Sequence, residues 1–146
     1  MRNPTLVSCR ARIFLPPVAF LLLSLPASLP IWGQAQTIEV LADKDSRFKI
    51  AGKSAPQITL KAGETVRLRI TAVQGKTWSR DGAVHGFTMV RLKDRAKVPR
   101  WDLELMPGAQ EFVLVAPSQP GEYEILCTVI CSDDHEGMRM KVLVTR

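Results

Sequence analysis

The chain has 146 residues, enough for one compact domain, with 46% hydrophobic residues and a formal net charge of +6. Three of the 20 basic residues precede residue 36 and none of the 14 acidic residues does, so the charge falls to +3 beyond that point. No basic stripe with interleaved aromatic residues is present, so the composition argues against nucleic-acid binding.

Residues 1–35 have the parts of a secretory signal peptide. Basic residues precede an apolar stretch over residues 13–32, and Gly33 and Ala35 supply the small residues expected before a cleavage site. The alternative is an uncleaved membrane anchor, although four prolines in the apolar stretch disfavour a straight helix. We therefore expect a leader over 1–35, a periplasmic or otherwise exported domain over 36–146, and membrane association only through 13–32.

From residue 36 onward, short runs of alternating side chains are separated by turn residues. The clearest run covers 64–72, where Val66, Leu68 and Ile70 alternate with polar residues, as in a half-buried strand of an antiparallel sheet. Frequent turn signals without a good amphipathic helix predict an all-β fold, a Greek-key β-sandwich. The predicted strands are 37–42, 47–50, 57–61, 64–72, 84–90, 101–105, 111–115, 122–127 and 138–144.

Two features around the strand over 84–90 have structural and functional interpretations. A predicted basic loop over 93–100 is either a solvated face or a docking site for an acidic partner. Trp78 and Trp101 flank the strand, and we expect core packing for them, with cover of an electron-exit surface as the alternative.

Soft or borderline metal ligands are concentrated in residues 127–138, which hold Cys127, Cys131, His135 and Met138. The other histidine of the chain, His85, begins a strand, with its side chain on an apolar face. A disulfide between the two cysteines would close only a short loop, and Cys9 would leave with the leader. The pattern therefore predicts a metal site at one end of the sandwich.

The residues alone leave the metal and the function open. A mononuclear blue-copper carrier needs one Cys, two His and a weak axial ligand, which leaves Cys127 surplus. A zinc site uses two Cys and two His and leaves Met138 idle. A copper chaperone or storage protein would bind Cu(I) through the same side chains. No nucleophile–base arrangement that would indicate an enzyme stands out.

The sequence resembles the cupredoxin domain that carries the dinuclear CuA centre in subunit II of haem-copper oxidases, such as cytochrome c oxidase, and in the C-terminal domain of nitrous-oxide reductases. The signature of that family is a His on an upstream strand followed by Cys-x3-Cys-x3-His-x2-Met. His85, Cys127, Cys131, His135 and Met138 match every spacing. Residues 58–66 and 120–123 also look like the family, so the resemblance extends over the exported part.

The resemblance implies a role for each ligand. Both cysteines would bridge two coppers through their sulfurs. His85 would bind one copper with Met138 as its weak ligand, and His135 would bind the other with the main-chain carbonyl of Val129. Oxidase members usually have an acidic residue in place of Val129, and the family often has Gly in place of Ser132.

The resemblance also implies single-electron transfer with a redox protein, such as a c-type cytochrome or a terminal oxidase or reductase. A CuA site has no open coordination position for a substrate. We therefore expect an electron carrier, or the electron-entry part of a larger oxidase-like complex, rather than an enzyme in its own right.

Overall fold

The structure is a computed structural model and describes residues 35–146. The predicted leader and the apolar stretch over 13–32 lie outside the described residues, apart from residue 35. Within the described part, no helix is long and apolar enough to cross a bilayer.

The described residues form nine strands and one short 3-10 helix. The elements are β1 (Gln36–Ala42), β2 (Phe48–Lys49), β3 (Gln57–Lys61), β4 (Thr65–Ala72), β5 (His85–Arg91), β6 (Lys97–Leu105), β7 (Gly108–Val115), β8 (Gly121–Leu126), the 3-10 helix (His135–Gly137) and β9 (Arg139–Thr145).

The strands form two sheets, with orders β2-β1-β4-β7 and β3-β9-β8-β5-β6. Several neighbours in the sheets are distant in sequence, because β1 pairs with β4, β5 with β8 and β3 with β9. One buried cluster draws residues from both sheets, so the predicted all-β sandwich is confirmed. The pairs β1–β4 and β3–β9 are parallel, and the other strand pairs are antiparallel.

The strand alternation read from the sequence explains the core. Val66, Leu68 and Ile70 of β4 are buried, as are alternate residues of β9. Each such side chain stabilises the fold by about 1.5–3 kcal/mol relative to an exposed one. Strand β5 differs, because residues 85–90 are all buried and both of its faces are therefore covered.

The predicted basic loop over 93–100 is wrong in its second half, because β6 begins at Lys97. Pro99 is tolerated there because β6 is an edge strand. Proline has no N–H, and on the open side of an edge strand no neighbouring strand requires one. A bulge shifts the register between β5 and β6, and Arg100 has a positive φ of 67°. Lys97 forms an ion pair with Asp102, so its charge is partly neutralised within the protein.

Candidate metal centre

Loops from both sheets meet at the end of the sandwich where β5 begins and β8 ends. In the β4–β5 loop, the Thr77 hydroxyl donates to the Ile130 carbonyl at 2.8 Å, and the Thr77 main-chain N–H donates to the Cys131 carbonyl at 3.3 Å. The Cys127 N–H donates to the Met138 carbonyl at 3.1 Å, so the two residues close the β8–β9 connection. This end of the sandwich is where the sequence predicts the metal site.

Three of the predicted ligands form a buried cluster. One ring nitrogen of His85 and the sulfurs of Cys127 and Cys131 lie within 4.8 Å of one another. The two sulfurs are 3.6 Å apart, and both cysteines are free thiols. The side chains belong to residues that are at most 7% exposed, so a metal held here would be shielded from water.

The orientation of His85 leaves one nitrogen available for a metal. Its Nε2 lies 2.9 Å from the carbonyl oxygen of Val73, which fixes the proton on Nε2, whereas Nδ1 is buried and has no hydrogen-bond partner. Burial keeps the pKa of His85 below its ordinary value of 6.5, so the ring is neutral at neutral pH. A buried nitrogen lone pair without a partner is costly unless a ligand uses it, so His85 fits a metal.

Cys127 is held against β5 by a close backbone approach. The main-chain N–H of Gly86 donates to its sulfur at 3.3 Å. A Cβ at Gly86 would lie 2.6 Å from the main-chain nitrogen of Thr128, so only glycine allows this approach. Burial raises the pKa of the Cys127 thiol to about 11, and metal binding would therefore release its proton.

The carbonyl of Val129 lies beside the same sulfur. It is 3.2 Å from the Cys127 sulfur and accepts the main-chain N–H of Cys131 at 2.8 Å. The carbonyl that the family resemblance implicates as a weak ligand is thus next to the cluster.

His135 and Met138 hold different positions relative to the cluster. His135 is half-buried in the 3-10 helix, and its Nδ1 lies 3.0 Å from the carbonyl oxygen of Ser132. It does not belong to the group formed by the other histidine and the two cysteines. Met138 is 1% exposed and is tied to Cys127 through the backbone.

Outer partners of the ligands could not be chosen from the sequence. The Val73 carbonyl orients the His85 ring through Nε2, whereas the Ser132 carbonyl contacts Nδ1 of His135. A further partner, Ser46, lies 3.6 Å from the Cys131 sulfur. No sequence signal indicates Ser46, because it comes from a turn 85 residues upstream of the cysteine.

Apolar side chains are exposed around this end of the sandwich. Ile130, between the two cysteines, is 70% exposed, and Trp78, next to Thr77, is 59% exposed. The expected core packing is wrong for Trp78 and confirmed for Trp101, which is fully buried and donates its indole N–H to the Val115 carbonyl. An apolar surface therefore adjoins the buried cluster.

No protein-family model matches the chain, and no curated protein matches it in sequence. Solved structures do share its fold. A chain of a heme-copper terminal oxidase dimer is 19% identical with a TM-score of 0.52, over 79% of this chain and 68% of that one. Auracyanin B is 22% identical with a TM-score of 0.52, over 77% of this chain and 90% of its own. Auracyanin A is a "blue" copper protein from the green thermophilic photosynthetic bacterium Chloroflexus aurantiacus. It is 18% identical with a TM-score of 0.51, over 75% of this chain and 98% of its own.

The chain has a cupredoxin-like fold. On this cupredoxin-like frame, the cluster of His85, Cys127 and Cys131 fits a CuA-type site. Two sulfurs and one neutral imidazole are a donor set that suits copper.

Proposed function

We propose that the chain is an exported copper protein that transfers single electrons through a dinuclear CuA-type centre. The observation that carries this proposal is the buried cluster in which an unpartnered His85 Nδ1 accompanies two free thiols 3.6 Å apart. Thiolate and imidazole together favour copper over harder metals. Bound copper would supply a one-electron redox couple.

The frame suits electron transfer because it restricts movement of the ligands. His85 is the first residue of β5, and Cys127 and Met138 directly follow and precede strands. The hydrogen bond from Nε2 of His85 to the Val73 carbonyl and the hydrogen bond from the Gly86 N–H to the Cys127 sulfur orient the two ligand side chains. A site that changes little between two charge states needs little reorganisation when an electron moves.

The second copper would be held by His135 and the carbonyl of Val129, and Met138 would be the weak ligand of the copper bound by His85, as the family resemblance implies. The Val129 carbonyl lies 3.2 Å from the Cys127 sulfur, which supports its role. Binding through Nδ1 of His135 would exchange the contact with the Ser132 carbonyl for the metal. Half-exposure of His135 makes it the accessible side of the centre.

For a partner, we propose a redox protein such as a c-type cytochrome or a terminal oxidase or reductase. The structural likeness to a chain of a heme-copper terminal oxidase dimer supports this context. The exposed Ile130 and Trp78 give the partner an apolar contact surface next to the cluster. We further propose that residues 1–35 export the domain formed by residues 36–146.

A second candidate function is delivery or storage of Cu(I). The three-member cluster favours it, because His85, Cys127 and Cys131 can hold one Cu(I) without His135. The mononuclear blue-copper alternative also requires one metal per chain, and the likeness to auracyanin A gives it a structural precedent.

Copper reconstitution of the exported part distinguishes these functions. A dinuclear carrier binds two coppers per chain and gives a purple, mixed-valence protein with a multi-line EPR signal. One copper with a simple EPR signal indicates the mononuclear carrier. A colourless Cu(I) form that oxidants cannot turn purple indicates delivery or storage.

The bridging role of Cys131 has its own test. Replacing one of two shared sulfurs with a hydroxyl removes the bridge, so Cys131→Ser should abolish the dinuclear spectrum. Equal spectra for the wild type and Cys131→Ser would refute the bridge.

A further inference from the structure

Ser46 brings a hydroxyl from the β1–β2 loop to the metal cluster. Its side chain is buried, and its Oγ lies 2.5 Å from Oγ of Ser132 and 3.6 Å from the sulfur of Cys131. Ser132 is the residue that stands where the resembling family often has glycine. A protein with glycine at the position of Ser132 could not form this contact between two hydroxyl groups.

The donors and acceptors of this group can be assigned. Oγ of Ser132 accepts the main-chain N–H of Asp134 at 3.1 Å. A metal-bound thiolate can only accept, so with a metal in place the Ser46 hydroxyl would donate to the Cys131 sulfur. The Ser46 oxygen is then free to accept the hydroxyl hydrogen of Ser132. With this assignment, the Asp134 N–H, the Ser132 hydroxyl and the Ser46 hydroxyl each donate to the next group, and the series ends at the Cys131 sulfur.

The β1–β2 loop holds Ser46 in place independently of the metal. The buried carboxylate of Asp43 accepts the main-chain N–H groups of Asp45 and Arg47, both at 3.0 Å. The Ser46 N–H donates to the Asp43 carbonyl at 3.2 Å, and Ser46 has a left-handed φ of 57°. The loop thus maintains a backbone conformation that is unfavourable for serine, and this conformation directs the hydroxyl into the cluster.

The two sulfurs consequently have different outer partners. The sulfur of Cys127 accepts the main-chain N–H of Gly86, whereas the sulfur of Cys131 lies beside the side-chain hydroxyl of Ser46. The first donor is a main-chain group of β5, so no side-chain truncation deletes it directly. The second can be removed, and this makes its contribution measurable.

We propose that Ser46, oriented by Ser132, donates a hydrogen bond to the Cys131 thiolate and thereby raises the reduction potential of the bound copper. A hydrogen bond withdraws electron density from the sulfur and weakens its donation to the oxidised metal more than to the reduced metal. The inference rests on the proposed copper function and adds a positioning residue outside the ligand set.

The test compares variants of the copper-loaded protein. In Ser46→Ala and Ser46→Gly we expect a lower midpoint potential and a sulfur-to-copper charge-transfer band shifted to lower energy. Ser132→Ala should give a smaller shift in the same direction, because Ser46 keeps its hydroxyl but loses its orienting partner. Ser132→Thr retains a hydroxyl and should restore the wild-type values. Wild-type potentials in both Ser46 variants would overturn the proposal.

A second metal separates this inference from the proposed function. Co(II) bound to the same thiolates gives a sulfur-to-metal charge-transfer band whether or not two coppers bind. A shift of this band to lower energy in Ser46→Gly supports the hydrogen bond even if copper reconstitution yields a mononuclear site. Ser46→Gly also relieves the left-handed strain at this position, so it provides the test even if Ser46→Ala does not fold. An unchanged Co(II) band in Ser46→Gly overturns the inference and leaves the copper function standing.

Discussion

Replacing Gly86 with alanine should disturb the metal centre although Gly86 is not a ligand. A Cβ at this position would overlap the hydroxyl of Thr128 and would lie 2.6 Å from its main-chain nitrogen and 3.1 Å from its Cα. The hydroxyl can rotate away, but the backbone cannot. The segment that begins at Cys127 must therefore move outward until the nitrogen reaches the 3.4 Å of ordinary contact.

This movement has two costs. Overpacking of a buried site destabilises a protein by about 1–3 kcal/mol. A glycine-to-alanine change elsewhere stabilises by about 0.4–1 kcal/mol through the unfolded chain, so the clash outweighs the gain. The same movement lengthens the hydrogen bond from the Gly86 N–H to the Cys127 sulfur. Loss of such an outer partner lowers metal affinity about 10- to 100-fold.

Gly137 provides a matched control. It directly precedes Met138, yet a Cβ there would meet nothing within 4 Å. Urea unfolding of the apo-protein and competition titration with a Cu(I) chelator should show losses in Gly86→Ala and near wild-type values in Gly137→Ala. Equal stability and equal copper affinity of the two variants would refute the close-approach argument.

Three further predictions concern single side chains. Met138→Leu keeps the buried volume but removes the thioether, so voltammetry should show a changed potential and absorption spectra should retain most of the colour. Lys97 lowers the pKa of Asp102, so this pair stabilises the fold above pH 3.8 and its contribution is lost as the pH falls through the lowered value. Asp102→Asn should therefore cost less than about 1 kcal/mol at neutral pH, since the pair is half-exposed, and nothing in strong acid, as measured by urea unfolding. Tyr123→Phe removes a hydrogen bond to the Gln119 carbonyl and should cost about 1 kcal/mol in thermal unfolding without changing the copper spectrum.

Strand periodicity made much of the fold predictable. In β4, one face of the strand enters the core, so Val66, Leu68 and Ile70 appear as every second residue. In β5 the alternation of buried and exposed residues is absent, because the segment around Thr128 covers the face of the strand on which Gly86 lies. That contact joins residues about 40 positions apart, and no local pattern encodes it.

The proximity of the two cysteine sulfurs could be predicted from their spacing, whereas the surroundings of the cluster could not. Cys127 and Cys131 are close in sequence, so a single turn brings their sulfurs together. The orienting partners of the site, Val73 and Ser46, act through a main-chain carbonyl and a turn hydroxyl. Any residue supplies a carbonyl, and serine is common in turns. Only the folded backbone distinguishes these two positions from others.

The location of β9 has a consequence for the order in which the protein matures. It lies between β3 and β8, so the five-stranded sheet remains divided until this strand is inserted. Its pairing with β3 is parallel and joins residues more than 80 positions apart, a contact that forms late in folding. Met138 directly precedes β9, and its carbonyl accepts the main-chain N–H of Cys127. A nascent chain still lacking this strand would present its thiols on an open sheet edge, so we expect metal loading to follow synthesis of the whole domain.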